Sequence, residues 1–384
     1  MTAARHDVGG ARHEERLTRE RAIWLATVGL LGALSVFAVA IVFDNAIESD
    51  TLAFDFHQFY AAAKAILRGE SPYTPGTATA AWGGPYPYPP LPALVAAPLT
   101  LLPFQAAGLL VMATLVVVAL ATLYVLDVRD WRCYGLVLLW PPVISAIQTG
   151  NLTLWFGLAA AVGWRFRDRL VAPSASIGLT LAAKFFLWPL VVWLAATRRI
   201  AAAVLACVLG AGLLLASWAV IGFSGMLDYP SLLQRLEDAV GEDSYTAYIV
   251  GLDIGLPSAV ARAVWLAIGL GVLASVVVLA RGGDERSAFI AAIAASLALT
   301  PIVWLHYFAL LLVVVAVAQP RLGLLWFCPL ALIVTPGSGH PTPFQTAWTL
   351  GVAAIVVSLS VRTSMARVSR TEPERAQLAE VGVP

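Results

Sequence analysis

Residues 22–43 read AIWLATVGLLGALSVFAVAIVF, an uncharged apolar run. As an α-helix at 1.5 Å per residue it reaches about 33 Å, the thickness of a bilayer's hydrocarbon core. It is too long for a signal-peptide core, and no small-residue cleavage site follows, so it reads as a retained first membrane helix. Arg5, Arg12, Arg16, Arg19 and Arg21 precede it, which places the N-terminus in the cytoplasm. The rest of the chain repeats the theme. Of 384 residues 60% are hydrophobic and 12% charged, and mean hydropathy is +0.82. Soluble domains carry roughly 25% charged residues. These features specify an all-α, polytopic transmembrane helix bundle of about 12 spans, within a range of about 10 to 12. Residues 1–21 form a cytoplasmic tail, 22–362 one membrane domain and 363–384 a second cytoplasmic tail.

Working outward from the first helix, residues 44–103 form an outer loop carrying Asp44, Glu48, Asp50, Asp55 and Glu70. Residues 56–68 are expected to be a short interfacial helix closed by Gly69. Asp55 with Gln58 three positions on is a capping-box pattern. The run Pro85-Tyr86-Pro87-Tyr88-Pro89-Pro90 is a stiff loop, with Trp82, Tyr86 and Tyr88 as boundary anchors. Spans are predicted over 104–126, 133–147 and 152–164, with an outer turn at Gln148-Thr149-Gly150-Asn151. The stretch 174–197 is flanked by arginines on both sides. A single crossing would put one set outside, so two short segments going out and back, broken near Lys184 to Pro189, fit better. Irregular backbone at that depth is tolerated inside protein or beside a wet cavity. Further spans are expected over 200–222, 257–280, 287–303, 307–318, 322–335 and 344–361. The loop 223–256 holds six acidic residues, Asp228 to Asp253, against Arg235, which suits the outer face.

Charge in so apolar a chain points to chemistry. Asp55 is either a general base at the outer face or a helix cap. His306, in Thr300-Pro301-Ile302-Val303-Trp304-Leu305-His306-Tyr307, is either a donor to an anionic leaving group or partner of Asp55, or a headgroup-level histidine. His57 and His340 are weaker candidates of that type. Lysine occurs only at 64 and 184. Lys184 is either a phosphate-holding cation or a snorkelling side chain. Arg68, Arg235 and Arg262 are outer cations that either bind phosphate or pair with acidic neighbours. Gly150-Asn151 reads as a tight turn. Cys133, Cys207 and Cys328 show neither metal-ligand spacing nor a disulfide framework. No P-loop, dinucleotide, HExxH or serine-nucleophile motif is present. A net charge of +1 argues against nucleic acid as partner. A transporter or lipid-carrier permease is the class that competes with an enzyme. A transporter would place polar groups near the midplane of two related halves, whereas here they cluster at one face.

The order of motifs is informative. It runs Asp55-x4-Tyr60 to Gly69, Pro72-Tyr73, Tyr88-Pro89-Pro90-Leu91, Pro98-Leu99, Gly150-Asn151, Lys184-x4-Pro189 with Arg198-Arg199, and Thr300-Pro301-x-x-Trp304-x-His306. Together these resemble glycosyltransferase family 87, across roughly residues 22–362. The resemblance implies a GT-C fold in a bacterial plasma membrane and transfer of a hexose, mannose in the best-known members. The donor would be a polyprenyl-phosphate sugar and the acceptor a lipid-linked or glycan hydroxyl on the outer face. Donor and membrane lipid are then the partners, with neither a cofactor nor a metal. It further implies Asp55 as base, with His306 and Lys184 near the donor phosphate. Arg262, His57 and Tyr60 are additional substrate-binding candidates that the resemblance does not itself assign, His57 being a departure from the family pattern. A phosphate leaving group is already anionic, so one base suffices for a single inverting displacement.

Overall fold

The computed structural model describes residues 7–48, 52–80, 83–336 and 339–380, with side chains described between 18 and 366. Asp50, Trp82 and the tail arginines Arg5, Arg12, Arg16, Arg367 and Arg370 lie outside the described residues or side chains.

The described chain is helical, and an isolated bridge between Thr79 and Pro85 is its sheet-like pairing. Helix α1 (Asp7–Glu48) is followed by the short α2 (Phe54–Leu67), which ends at Gly69 in the left-handed region. After the proline-rich loop come α3 (Pro90–Ala96) and α4 (Phe104–Val125). The expected span 133–147 is two pieces, α5 (Trp131–Val137) and α6 (Pro141–Thr149). Pro141 and Pro142 cannot donate the backbone bonds that would join them. Gly150, left-handed at φ 69°, ends α6. Helix α7 (Thr153–Arg165) then leaves at 116° to it.

The stretch 174–197 is broken where the sequence suggested, into α8 (Val171–Ala183) and α9 (Pro189–Ala196). Lys184 is extended, and Pro189 starts the second piece. Helix α10 (Ile200–Val220) lies parallel to α8. Ser174 Oγ donates to Ala202 O at 3.0 Å. At Gly178 a Cβ would come within 2.9 Å of Ala206 O, so the two backbones touch. With α8 and α10 parallel, α9 between them in sequence runs back. The flanks meet accordingly: Arg199 pairs with Asp168 at 2.5 Å and also with Glu285. The out-and-back reading holds, because both arginine-bearing flanks are drawn to one end.

The loop 223–256 is more structured than its composition suggested. It holds α11 (Tyr229–Val240) and α12 (Ala247–Asp253). Helices α13 (Ser258–Arg281), α14 (Glu285–Leu299), α15 (Leu311–Ala318) and α16 (Pro343–Glu380) complete the chain, with 3-10 turns over Leu305–Leu310 and Leu324–Val334. Among the described residues five helices are long and apolar enough to cross a membrane, six if α6 and α7 count as one bent span. The remaining expected crossings fall on shorter helices, so length alone supports a smaller number than about 12. The long helices α1 and α13 present apolar side chains outward, among them Val36, Phe37 and Val278, as a lipid-facing surface does.

Chain direction gives the bundle two unlike ends. One gathers Arg129, Arg165, Arg169, Arg198, Arg281 and Arg321 in its loops. The other carries α2, the proline loop, the 184–188 break and the acidic segment around α11. Tyr86 and Tyr88 are buried there rather than at a lipid boundary. They pack edge-on to Phe59, with ring centroids at 6.0 and 4.9 Å. Prolines leave that loop short of donors but not of carbonyls, and tyrosines fill the gap. Tyr73 donates to Tyr88 O at 2.7 Å and Tyr229 to Pro87 O at 2.8 Å.

Candidate active site

At the acidic end four segments enclose a cavity of about 750 Å³. The start of α2 supplies Phe54, Asp55 and Gln58, and the α6–α7 turn supplies Asn151. The α8–α9 break supplies Lys184, Phe186 and Trp188, and the 299–307 segment supplies Trp304, His306 and Tyr307. Tyr88 forms part of the wall, and α11 lines one side with Tyr229, Leu233 and Glu237. The walls are largely aromatic and aliphatic, with a few polar groups, the usual make-up of a small-molecule site.

Asp55 does not cap its helix. Ala53, left-handed at φ 47°, is the N-cap and makes no side-chain capping bond. Asp55 instead sits in the first turn, largely buried, with Oδ2 accepting from Asn151 Nδ2 at 2.8 Å. The approach is close because Gly150 has no Cβ: one would lie 2.8 Å from Phe56 Cβ and 3.1 Å from Ala53 Cβ. The Ala53 N–H donates to Gln148 O at 3.2 Å, tying α2 to the turn. His306 is buried, and its Nε2 lies 3.8 Å from Asp55 Oδ2. That is beyond hydrogen-bond distance. The ring lies between Trp304 and Tyr307, with centroids at 6.2 and 4.8 Å.

Lys184 Nζ contacts the Tyr307 hydroxyl. It also lies over the rings of Tyr88 and Tyr307, 5.1 and 4.6 Å from their centroids. The ammonium is thus held at the cavity wall by groups that leave its charge uncompensated. A carboxylate, an imidazole and an ammonium face one apolar chamber. That set can accept a proton at one point and hold an anion at another.

The comparison with family models matches residues 86–303 to the model described as glycosyltransferase family 87. The chain belongs to glycosyltransferase family 87. It is therefore a membrane glycosyltransferase of GT-C type, and the transporter alternative falls. No curated protein and no solved structure matches the chain. The family match is narrower than the resemblance read from the motifs: it includes Asn151 and Lys184, while Asp55 and His306 flank it on either side.

Of the site residues expected for this family 87 enzyme, the structure brings Asp55, Lys184 and His306 to one cavity. It does not bring Arg262, His57 or Tyr60 there. Arg262 pairs with Glu237 at 3.3 Å and covers Tyr248, so its acidic neighbour takes it up. His57 is exposed and packs edge-on to Phe104 at 5.0 Å. Tyr60 is buried, donates to Leu102 O at 2.8 Å and packs on Phe56 and Phe104. Both lie on the face of α2 turned from Asp55, as their offsets of two and five residues require. His340 pairs with Asp243 at the acidic end. Asn151, Tyr88 and Tyr307 line the cavity without having been singled out for it. The Gly150-Asn151 pair was visible but reads equally as a turn, and the tyrosines sit in aromatic runs that look like packing. Among the described residues no group of His, Cys, Asp or Glu is arranged to hold a metal ion.

Proposed function

We propose that this enzyme transfers a hexose, mannose by the family's best-known chemistry, from a polyprenyl-phosphate donor to a hydroxyl of a lipid-linked or glycan acceptor, with inversion. The observation that carries the reading is the meeting of Asp55, His306 and Lys184 in one apolar chamber at the acidic end. The acceptor oxygen attacks the anomeric carbon while the bond from that carbon to the phosphate oxygen breaks. The acceptor's proton passes to Asp55, and the prenyl phosphate leaves with the bonding pair. A β-linked donor gives an α product. Lys184 is the counter-charge for the leaving phosphate. A lysine over an aromatic ring gains ~0.5–2 kcal/mol, whereas two unit charges 4 Å apart gain about 4 kcal/mol at an effective dielectric of 20. The ammonium therefore prefers an arriving phosphate to its aromatic seat. The apolar walls suit a prenyl chain entering from the bilayer.

The arginine-rich opposite end supports cytoplasmic termini and a site on the outer face of a bacterial plasma membrane. The shorter helices would complete about 12 crossings, because those lining a protein-filled interior need not match the bilayer's thickness. The test is transfer from undecaprenyl-phosphate mannose, radiolabelled in the sugar, to a membrane lipid and glycan extract. Asp55→Asn is expected to lower kcat by about 10²- to 10⁴-fold, the usual worth of a general base, with donor binding retained. Turnover at the wild-type rate would remove Asp55 from that role.

A further inference from the structure

Asp55 is not held by the fold of α2 alone. Asn151 is 3% exposed. Its Oδ1 accepts from the Thr153 N–H at 2.9 Å and from Thr153 Oγ1 at 2.6 Å. A backbone N–H can only donate, so the end of the amide facing Thr153 must be the oxygen. The NH₂ must then face Asp55, and it donates to Oδ2 at 2.8 Å. The orientation is thus dictated by chemistry rather than chosen between two similar fits. The turn that presents the amide is itself fixed, by left-handed Gly150 against Ala53 and Phe56.

We propose that Asn151, oriented by Thr153, is a positioning residue that holds the Asp55 carboxyl by Oδ2 and aims its second oxygen at the chamber. This deepens the reading of Asp55 as base. The donated hydrogen bond favours the ionised carboxylate, which carries the fuller charge. With Oδ2 engaged by the amide and His306 close to it, Oδ1 is the oxygen left for the acceptor's proton. The other groups facing Asp55 are His306 and Tyr307 from the 299–307 segment, Lys184 from the α8–α9 break, Tyr88 from the proline loop and Glu237 from α11 across the chamber. The α6–α7 turn contributes no charge. On α2 itself His57 is turned away.

The test needs no sugar donor. Dicyclohexylcarbodiimide attacks carboxyl groups in apolar sites when they are protonated, and peptide mass spectrometry locates the adduct. The full-length protein in detergent would be labelled across a pH series, with Asn151→Ala, Asn151→Asp and Thr153→Val alongside. Asn151→Ala is expected to move the midpoint of Asp55 labelling upward by about one pH unit, the worth of one charge-assisted hydrogen bond. Asn151→Asp, nearly isosteric, places a second carboxylate against the first and moves it further. Thr153→Val keeps the backbone donor and gives a smaller upward shift. A labelling curve for Asn151→Asp and Asn151→Ala indistinguishable from wild type, including no labelling in any of them, overturns the proposal. Asp55→Asn turnover separates the two failures. An active Asp55→Asn removes the base, whereas an inactive one beside unshifted labelling removes only the role of Asn151.

Discussion

Lys184 shows how much one side chain can be asked to do here. It is the cation that lines the chamber, with Arg262 diverted to Glu237. Lys184→Ala is therefore expected to raise KM for undecaprenyl-phosphate mannose by about 10- to 100-fold, matching the loss of a charge-assisted bond to phosphate. Tyr307→Phe keeps the ring under the ammonium and loses the hydroxyl, so a smaller rise is expected. Steady-state kinetics with varied donor would show both, and an unchanged KM for the alanine variant would take the phosphate away from Lys184. At this scale the sequence was readable where a residue was costly. A lysine, a histidine and an aspartate among apolar residues declare themselves, because an ionisable group in such surroundings needs a reason to be there. Asn151 did not declare itself, since asparagine after glycine also makes an ordinary turn. Its partner lies 96 positions away.

Among the elements, the segment carrying His306 is fixed by the acidic loop 223–256. Buried Ser244 accepts from the Val303 N–H at 2.8 Å and donates to Pro301 O at 3.3 Å. The Tyr245 N–H donates to Val303 O at 2.7 Å, and its hydroxyl reaches Pro336 O at 2.8 Å. Residues 301–304 form no helix, so these bonds replace the missing intrahelical ones. Ser244→Ala would strand both backbone groups. A stability loss of about 1–3 kcal/mol is expected, visible as a lower thermal midpoint in detergent. An unaltered midpoint would mean that water or a shifted backbone satisfies them. Long elements were legible: 104–126 and 257–280 became α4 and α13 within a residue or two. The interruption of 133–147 was missed although Pro141 and Pro142 mark it. The apolar pattern runs on through the break and masks it. The helix α11 of the acidic loop was missed although Leu232, Leu233, Leu236 and Val240 recur at helical spacing; the acidic residues between them read as a solvated loop.

For the whole molecule, the division of charge between the two ends is the testable property. Glu70 lies exposed at the acidic end and Arg169 exposed at the arginine-rich end. In a background lacking Cys133, Cys207 and Cys328, Glu70→Cys and Arg169→Cys are expected to react with a membrane-impermeant maleimide from opposite sides of sealed vesicles. Reaction of both from one side would overturn the orientation and place the site in the wrong compartment for an outer-face acceptor. The ion pairs joining Arg199 to Asp168 and Glu285 fix which loops share an end. Inverting one hairpin would separate these charge partners, of which Arg199 and Glu285 are partly buried.

The sequence by itself determined that this protein lives in a membrane, which of its stretches become long helices, and which few side chains carry charge into an apolar interior. Those are consequences of local composition, since a lipid-facing backbone must satisfy its own hydrogen bonds. Only the tertiary structure decided that Asp55, Lys184 and His306 share one chamber while Arg262, His57 and Tyr60 do not. It also turned a glycine–asparagine turn into the support of Asp55. Those outcomes depend on which broken helix ends converge, and convergence is set by contacts between residues far apart in the chain.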